Sequence, residues 1–159
     1  MCCSFLDWRI DGKMDKIEKF WQAFCEATNL QNRQYHEAFQ FGESADWLAD
    51  LVVEGKKTAT TSGYVFYEIE NEELPKVGQY DIVLNGQNEP VAIVQNEAVE
   101  VLPMNEVTEE FALSEGEGDF AYWWEAHERF FKKELQVYDL TFSRDMLVVC
   151  ERFKKVFPQ

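Results

Sequence analysis

The sequence predicts a single α+β domain in which helices flank a small, curled, mostly antiparallel sheet. Three observations predict it. A chain of 159 residues is one domain long, since domains commonly run about 100–150 residues. Its hydrophobic content of 46% includes 13 Phe, 6 Tyr and 5 Trp, enough apolar bulk for a core without a metal or disulfide staple and too much for disorder. Its periodicity runs helix, helix, a long β-rich stretch, helix, strand, the order expected of helices segregated from an antiparallel sheet.

Asp15 to Asn29 places Ile17, Phe20, Trp21, Phe24 and Thr28 at helical spacing, which predicts an amphipathic helix. The polar stretch from Gln31 to Gln34 breaks it. Ser44 is suited to cap a second helix bearing Trp47, Leu48, Leu51 and Val52, with Gly55 as its C′ stop. Thr58 to Tyr67 is rich in β-formers, and Lys76 to Leu84 reads as a strand after a turn at Pro75. Asn85-Gly86 is a favoured hairpin turn, so Glu89 to Leu102 returns as a long, bent strand. Asn105 to Leu113 reads as a short helix. Asp119 caps a longer one running to about Leu135, with Phe120, Trp123, Trp124, His127, Phe130 and Phe131 on a broad apolar side. At least three of Trp123, Trp124, Phe130 and Phe131 are expected in the core, because a soluble surface does not tolerate so much aromatic area. Met146 to Phe157 closes the chain as a strand. There is no internal repeat, low-complexity segment or long linker.

The net charge of −15 is unevenly spread. Val65 to Asp119 holds 14 acidic residues against Lys76 alone, whereas Arg129 to Gln159 holds seven basic residues against four acidic ones. Nucleic-acid affinity rests on Lys and Arg replacing counterions, so an acidic chain of this kind does not suit a long duplex. A small neutral ligand meets no such penalty, and a short single strand has the C-terminal basic stretch to use. No apolar run approaches the roughly 18 residues of a membrane span, and Met1 leads into no signal-peptide pattern. A soluble cytoplasmic protein is expected, with no membrane partner. Cys2, Cys3, Cys25 and Cys150 include no CxxC pair, and two histidines, His36 and His127, spell no zinc site. Reduced thiols, no metal and no cofactor are expected.

Three segments carry candidate chemistry. Glu54 to Gly63 lies where a helix gives way to a strand; it lacks the phosphate-loop spacing but offers Lys56 and Lys57 followed by hydroxyls. Paired lysines also suit a helix C-terminus and threonines suit a strand, so the segment read alone favours structure. Glu115-Gly116-Glu117-Gly118-Asp119 precedes the aromatic helix, and its alternating glycines let carboxylates project from an unusual backbone. It suits an acid–base carboxylate or ligands to a divalent ion, or simply an acidic helix-entry loop. The aromatic helix itself is read as core, with His127 as a partly buried histidine bonded to a nearby carbonyl.

Taken in order, GKKTAT at 55–60, LPKVGQYDIVLNGQNEPVAIV at 74–94, EGEGD at 115–119, YWWEAHERFF at 122–131 and DMLVVCERF at 145–153 resemble the ASCH domain family, most closely its bacterial single-domain branch. The resemblance divides the chain into a helical extension, residues 1–38, packed on an ASCH domain, residues 39–159. It implies a PUA-like fold, a small mostly antiparallel β-barrel with flanking helices, and a function connected with RNA. In amidohydrolase members the GxKTxT segment supplies a lysine base and a threonine nucleophile, and a later glutamate acts as acid. Carried over, these positions are Lys57, Thr60 and Glu117, with Lys56, Thr61, Ser62 and Glu115 as substrate contacts.

The resemblance thus implies a hydrolase that removes an acyl group from a modified nucleoside such as N4-acetylcytidine. Those members carry an Arg-Asp pair after the second threonine where this chain has Ser62-Gly63, which predicts slower turnover or a different acyl preference. One alternative is a module that binds RNA or a nucleotide without turnover, using Lys56 and Lys57. A lower-ranked alternative is a metal-dependent ribonuclease using Glu115, Glu117 and Asp119.

Overall fold

A computed structural model describes residues 15–159; Cys2, Cys3 and the first 14 positions of the N-terminal extension lie outside the described residues. Helix α1, Lys16–Thr28, begins at Asp15, whose carboxylate accepts from the Glu18 amide at 2.8 Å, the expected N-cap bond. Strand β1, Glu37–Gln40, leads to helix α2, Ala45–Val53, which stops at Gly55 with φ of +77°. Strand β2, Ala59–Gly63, runs directly into helix α3, Tyr64–Glu70. Strands β3, Tyr80–Leu84, and β4, Pro90–Pro103, form the hairpin turned by Asn85-Gly86. A 3₁₀ turn, Met104–Glu106, helices α4, Glu109–Ser114, and α5, Phe120–Gln136, and strand β5, Leu147–Phe157, complete the chain.

The five strands form one curled half-barrel in the order β1-β3-β4-β5-β2. Only β1–β3 is parallel; the other three pairings are antiparallel. The sheet curls around β4, which pairs with both β3 and β5 and has register shifts at Ile93/Val94 and Asn96/Ala98. Such irregularities bend a strand and increase its twist. Helix α2 covers one sheet face through Leu48, Leu51 and Val52 on Val83, Val94 and Phe153. Helix α1 covers the other face of the hairpin, with Trp21 and Phe24 on Ile82, Leu84 and Ile93. Helices α4 and α5 pack on β2 and β5 through Phe111, Trp123 and Phe131 against Ala59, Val148 and Cys150.

The structure departs from the sequence-based expectations in several places. The β-rich run from Thr58 divides at Gly63, after which Tyr64–Glu70 is helical despite its β-formers; Val65 and Phe66 pack on the α5 core in that form, and packing outweighs β-propensity. Strand β1 was not expected, because it is four residues long and pairs with a strand distant in sequence. Of the four α5 aromatics, Trp123 and Phe131 are buried, whereas Trp124 and Phe130 are half-buried against the same core.

Polar groups also enter the sheet interior. Glu151 on β5 accepts from Asn96 Nδ2 at 3.2 Å, and burial together with the nearby Asp81 charge pushes its pKa up to about 7. A raised carboxyl pKa stabilises the fold at low pH, and that contribution is lost as pH rises through about 7. Glu151→Gln is therefore expected to match the wild type in thermal unfolding near pH 4 and to exceed it at pH 8, by up to about 3 kcal/mol. Phe131→Ala, which empties a fully buried site, should cost about 3–5 kcal/mol in denaturant unfolding.

Candidate functional site

The site is organised where the loop between α4 and α5 lies against the entry to β2. The Thr58 amide donates to the Ser114 carbonyl at 2.8 Å, and the Thr58 hydroxyl donates to the same oxygen at 3.2 Å. Gly116 then crosses the Lys56–Lys57 backbone so closely that a Cβ there would lie 2.4 Å from the Lys56 carbonyl oxygen, and its φ is +75°. Only glycine meets both conditions. The alternating glycines read from the sequence thus place Glu115 and Glu117 on either side of Lys57.

Lys57 is 2% exposed and donates to Glu115 Oε1 at 3.1 Å and Glu117 Oε2 at 3.2 Å. Its ammonium also lies 5.0 Å from the centre of the Phe41 ring, a cation–π distance. Glu115, 1% exposed, has its other oxygen fully engaged. Oε2 accepts from the Thr61 hydroxyl at 2.7 Å and the Trp123 indole at 2.6 Å, and His127 Nε2 lies 3.4 Å away. Burial would raise the Glu115 pKa, but the Lys57 charge, the His127 charge and hydrogen bond, and the Trp123 donor hold it well below the ordinary carboxylate range. Burial likewise disfavours a charged His127, yet the Glu115 hydrogen bond and charge raise its pKa above the ordinary 6.5.

A cleft of about 140 Å³ opens over this network. Lys57, Thr60, Thr61, Glu115 and Glu117 all line it, so five of the seven residues singled out from the sequence border one space. Strand β2 is an edge strand, which lets Thr60 and Thr61, on opposite faces by alternation, share that rim. Thr61 is committed to Glu115, whereas the Thr60 hydroxyl has no hydrogen-bond partner among the described residues. The remaining two residues sit elsewhere. Lys56 is exposed and pairs with Glu54 at 2.8 Å, and the Ser62 hydroxyl is 2.9 Å from the Tyr67 hydroxyl; neither lines the cleft.

Sequence reasoning did not include His127 or Trp123 in the site. Their four-residue helical spacing with alternate functions toward one carboxylate is visible only once Glu115 is placed. His127 Nδ1 does meet a carbonyl, that of Trp123 at 2.8 Å, as expected. Aromatic rings also line the cleft: Phe41, Trp47, Tyr122 and Phe130, together with Glu43 and Arg129. Trp47 and Tyr122 remain substantially exposed, leaving ring faces for a ligand.

The three carboxylates weighed for a divalent ion do not converge. Asp119 accepts from the Tyr122 amide at 2.8 Å as the N-cap of α5, and Glu115 is saturated by its four partners. Among the described residues no group of three or more His, Cys, Asp or Glu is arranged to hold a metal, and no helix is long and apolar enough to cross a membrane.

The family model for the ASCH domain matches residues 37–157. A crystal structure of a protein from Enterococcus faecalis V583 is similar at 46% identity over 89% of this chain and 92% of that one, with a TM-score of 0.80. The ASCH domain from Lactobacillus crispatus JV V101 is similar at 32% identity over 91% of this chain and 96% of that one, with a TM-score of 0.84. Comparison with curated proteins finds no match. The extent of the family match and the agreement of both structures over almost the whole chain lead to one conclusion: the chain belongs to the ASCH domain family, which is RNA-related in general.

Proposed function

We propose that this ASCH domain is an amidohydrolase that removes an acyl group from the exocyclic amine of a modified nucleoside, N4-acetylcytidine being the type of substrate. The observation that carries the reading is that Lys57, Thr60 and Glu117 line one cleft, with Lys57 bonded to Glu117. A threonine hydroxyl is a weak nucleophile until a base takes its proton. An ammonium must first lose a proton to serve as that base, and Glu117 at 3.2 Å is placed to accept it. Glu115 is the poorer acceptor, since its carboxylate is already held by Thr61, Trp123 and His127.

The cycle then balances. Lys57 passes a proton to Glu117 and takes one from Thr60 as the Thr60 oxygen bonds to the acyl carbon. Glu117 returns its proton to the departing amine as the C–N bond breaks. Water hydrolyses the acyl-threonine by the same route, releasing the carboxylic acid and restoring Thr60. The aromatic wall favours a flat base by stacking, and carboxylates around the cleft favour a neutral nucleoside over a polyphosphate. A short single strand presenting an unpaired modified base fits the same requirements.

Acetate release from N4-acetylcytidine by the purified protein, without added metal, tests the reading. Lys57→Ala should reduce kcat by about 10²–10⁴-fold, and Thr60→Ala should be at least as damaging because no acyl-enzyme forms. Saturable nucleoside binding with no product would favour the non-catalytic reader; RNA cleavage that needs a divalent ion would favour the nuclease. Gly116→Ala should lower both thermal stability and kcat, because the backbone it strikes carries Lys57 and the loop it distorts carries Glu117. Its loss of turnover should be measurable at temperatures where circular dichroism shows the variant still folded.

A further inference from the structure

Both ring nitrogens of His127 face acceptors. Nδ1 is 2.8 Å from the Trp123 carbonyl oxygen and Nε2 is 3.4 Å from Glu115 Oε2. A carbonyl and a carboxylate only accept, and a neutral imidazole has a single N–H. Either neutral tautomer would therefore leave a bare nitrogen lone pair beside an acceptor oxygen in a pocket where the ring is 11% exposed and its carboxylate partner 1%. The imidazole also stacks on the Trp123 indole, with centroids 4.4 Å apart and planes inclined by 27°, an arrangement that favours a cation over the π face.

We propose that His127 is a buried imidazolium and a positioning residue whose charge neutralises Glu115, leaving Lys57 able to hand a proton to Glu117. The consequence for turnover rests on the hydrolase reading; the charge of the ring does not. Glu115 and Glu117 face the ring from the α4–α5 loop, and Lys57 meets both carboxylates from the entry to β2. Thr61 on β2 and Cys150 on β5 lie behind Glu115, and Glu43 and Arg129 border the cleft. The inner four groups, two cations and two carboxylates, balance. Without the imidazolium, the whole Glu115 charge acts on Lys57 in a setting screened little by water. Lys57 then keeps its proton, and Thr60 keeps its own.

The test combines NMR with kinetics. In the wild-type protein at pH 7, both ring nitrogens of His127 should carry protons in ¹⁵N spectra. In His127→Gln the pH profile of acetate release should move up by about one pH unit. On the acid side of that profile the rate then falls about tenfold, while His127→Lys, which keeps a cation, should return the profile toward that of the wild type. A neutral His127 ring at pH 7 overturns the proposal, and this measurement needs no variant to fold. Rates scaled equally at every pH also overturn it by reducing His127 to a packing role. Absence of acetate release from the wild type at any pH would instead strike the hydrolase reading, with the ¹⁵N spectrum of the His127 ring still deciding this one.

Discussion

The buried pair between Lys57 and Glu115 is the constraint from which the rest of the site follows. Two charges taken out of water are tolerated only when every remaining donor and acceptor is satisfied, and here the chain satisfies Glu115 from three elements. The loop before β2 brings the ammonium, β2 brings the Thr61 hydroxyl, and α5 brings the Trp123 indole and the His127 ring. The α4–α5 loop must then come within contact of the Lys56 backbone, which restricts position 116 to glycine. Removing either partner of such a pair leaves an uncompensated charge in the interior, a loss of about 3–5 kcal/mol. The pair therefore fixes the cleft walls before any ligand arrives.

Much of this was legible in the sequence, for identifiable reasons. Helices α1 and α5 carry strong amphipathic spacing and aspartate caps, and their bounds came out within a residue or two. The hairpin was announced by Asn85-Gly86, which also implied β4 as its return strand. What local pattern cannot announce is a strand such as Glu37–Gln40, whose pairing with Tyr80–Leu84 spans some forty residues and involves no turn signal. Nor does it reveal that Tyr64–Glu70 is a helix when its side chains suit a strand. Lys76 to Gln79, expected as strand, is a turn, because Gly78 at φ of +90° donates to the Asn96 carbonyl across the sheet.

The site divides along the same line. Paired lysines at a strand entrance and acidic residues spaced by glycine look wasteful as scaffolding, and they do meet in space. Lys56 and Ser62 could not be separated from Lys57 and Thr60 by sequence, since Ser62 shares a strand face with Thr60 and how far along that face the cleft extends depends on the packing of distant elements. His127 and Trp123 looked like core because both lie on the apolar side of the α5 pattern; their polar atoms acquire meaning only from the carboxylate they share. The acidic composition has a similar double reading. It describes the surface of the chain, while the centre of the cleft is built from cations and anions in balance.

The stacking of His127 on Trp123 has an optical consequence. The Trp123 indole donates to the Glu115 carboxylate on one side and lies 4.4 Å from the imidazole ring on the other. Its electronic environment is thus set by two charged groups of the network, one of which touches Lys57. Protonation of the cluster and entry of a nucleoside alter the field at that ring, so the chain holds an intrinsic fluorophore at its chemical centre, readable without a label.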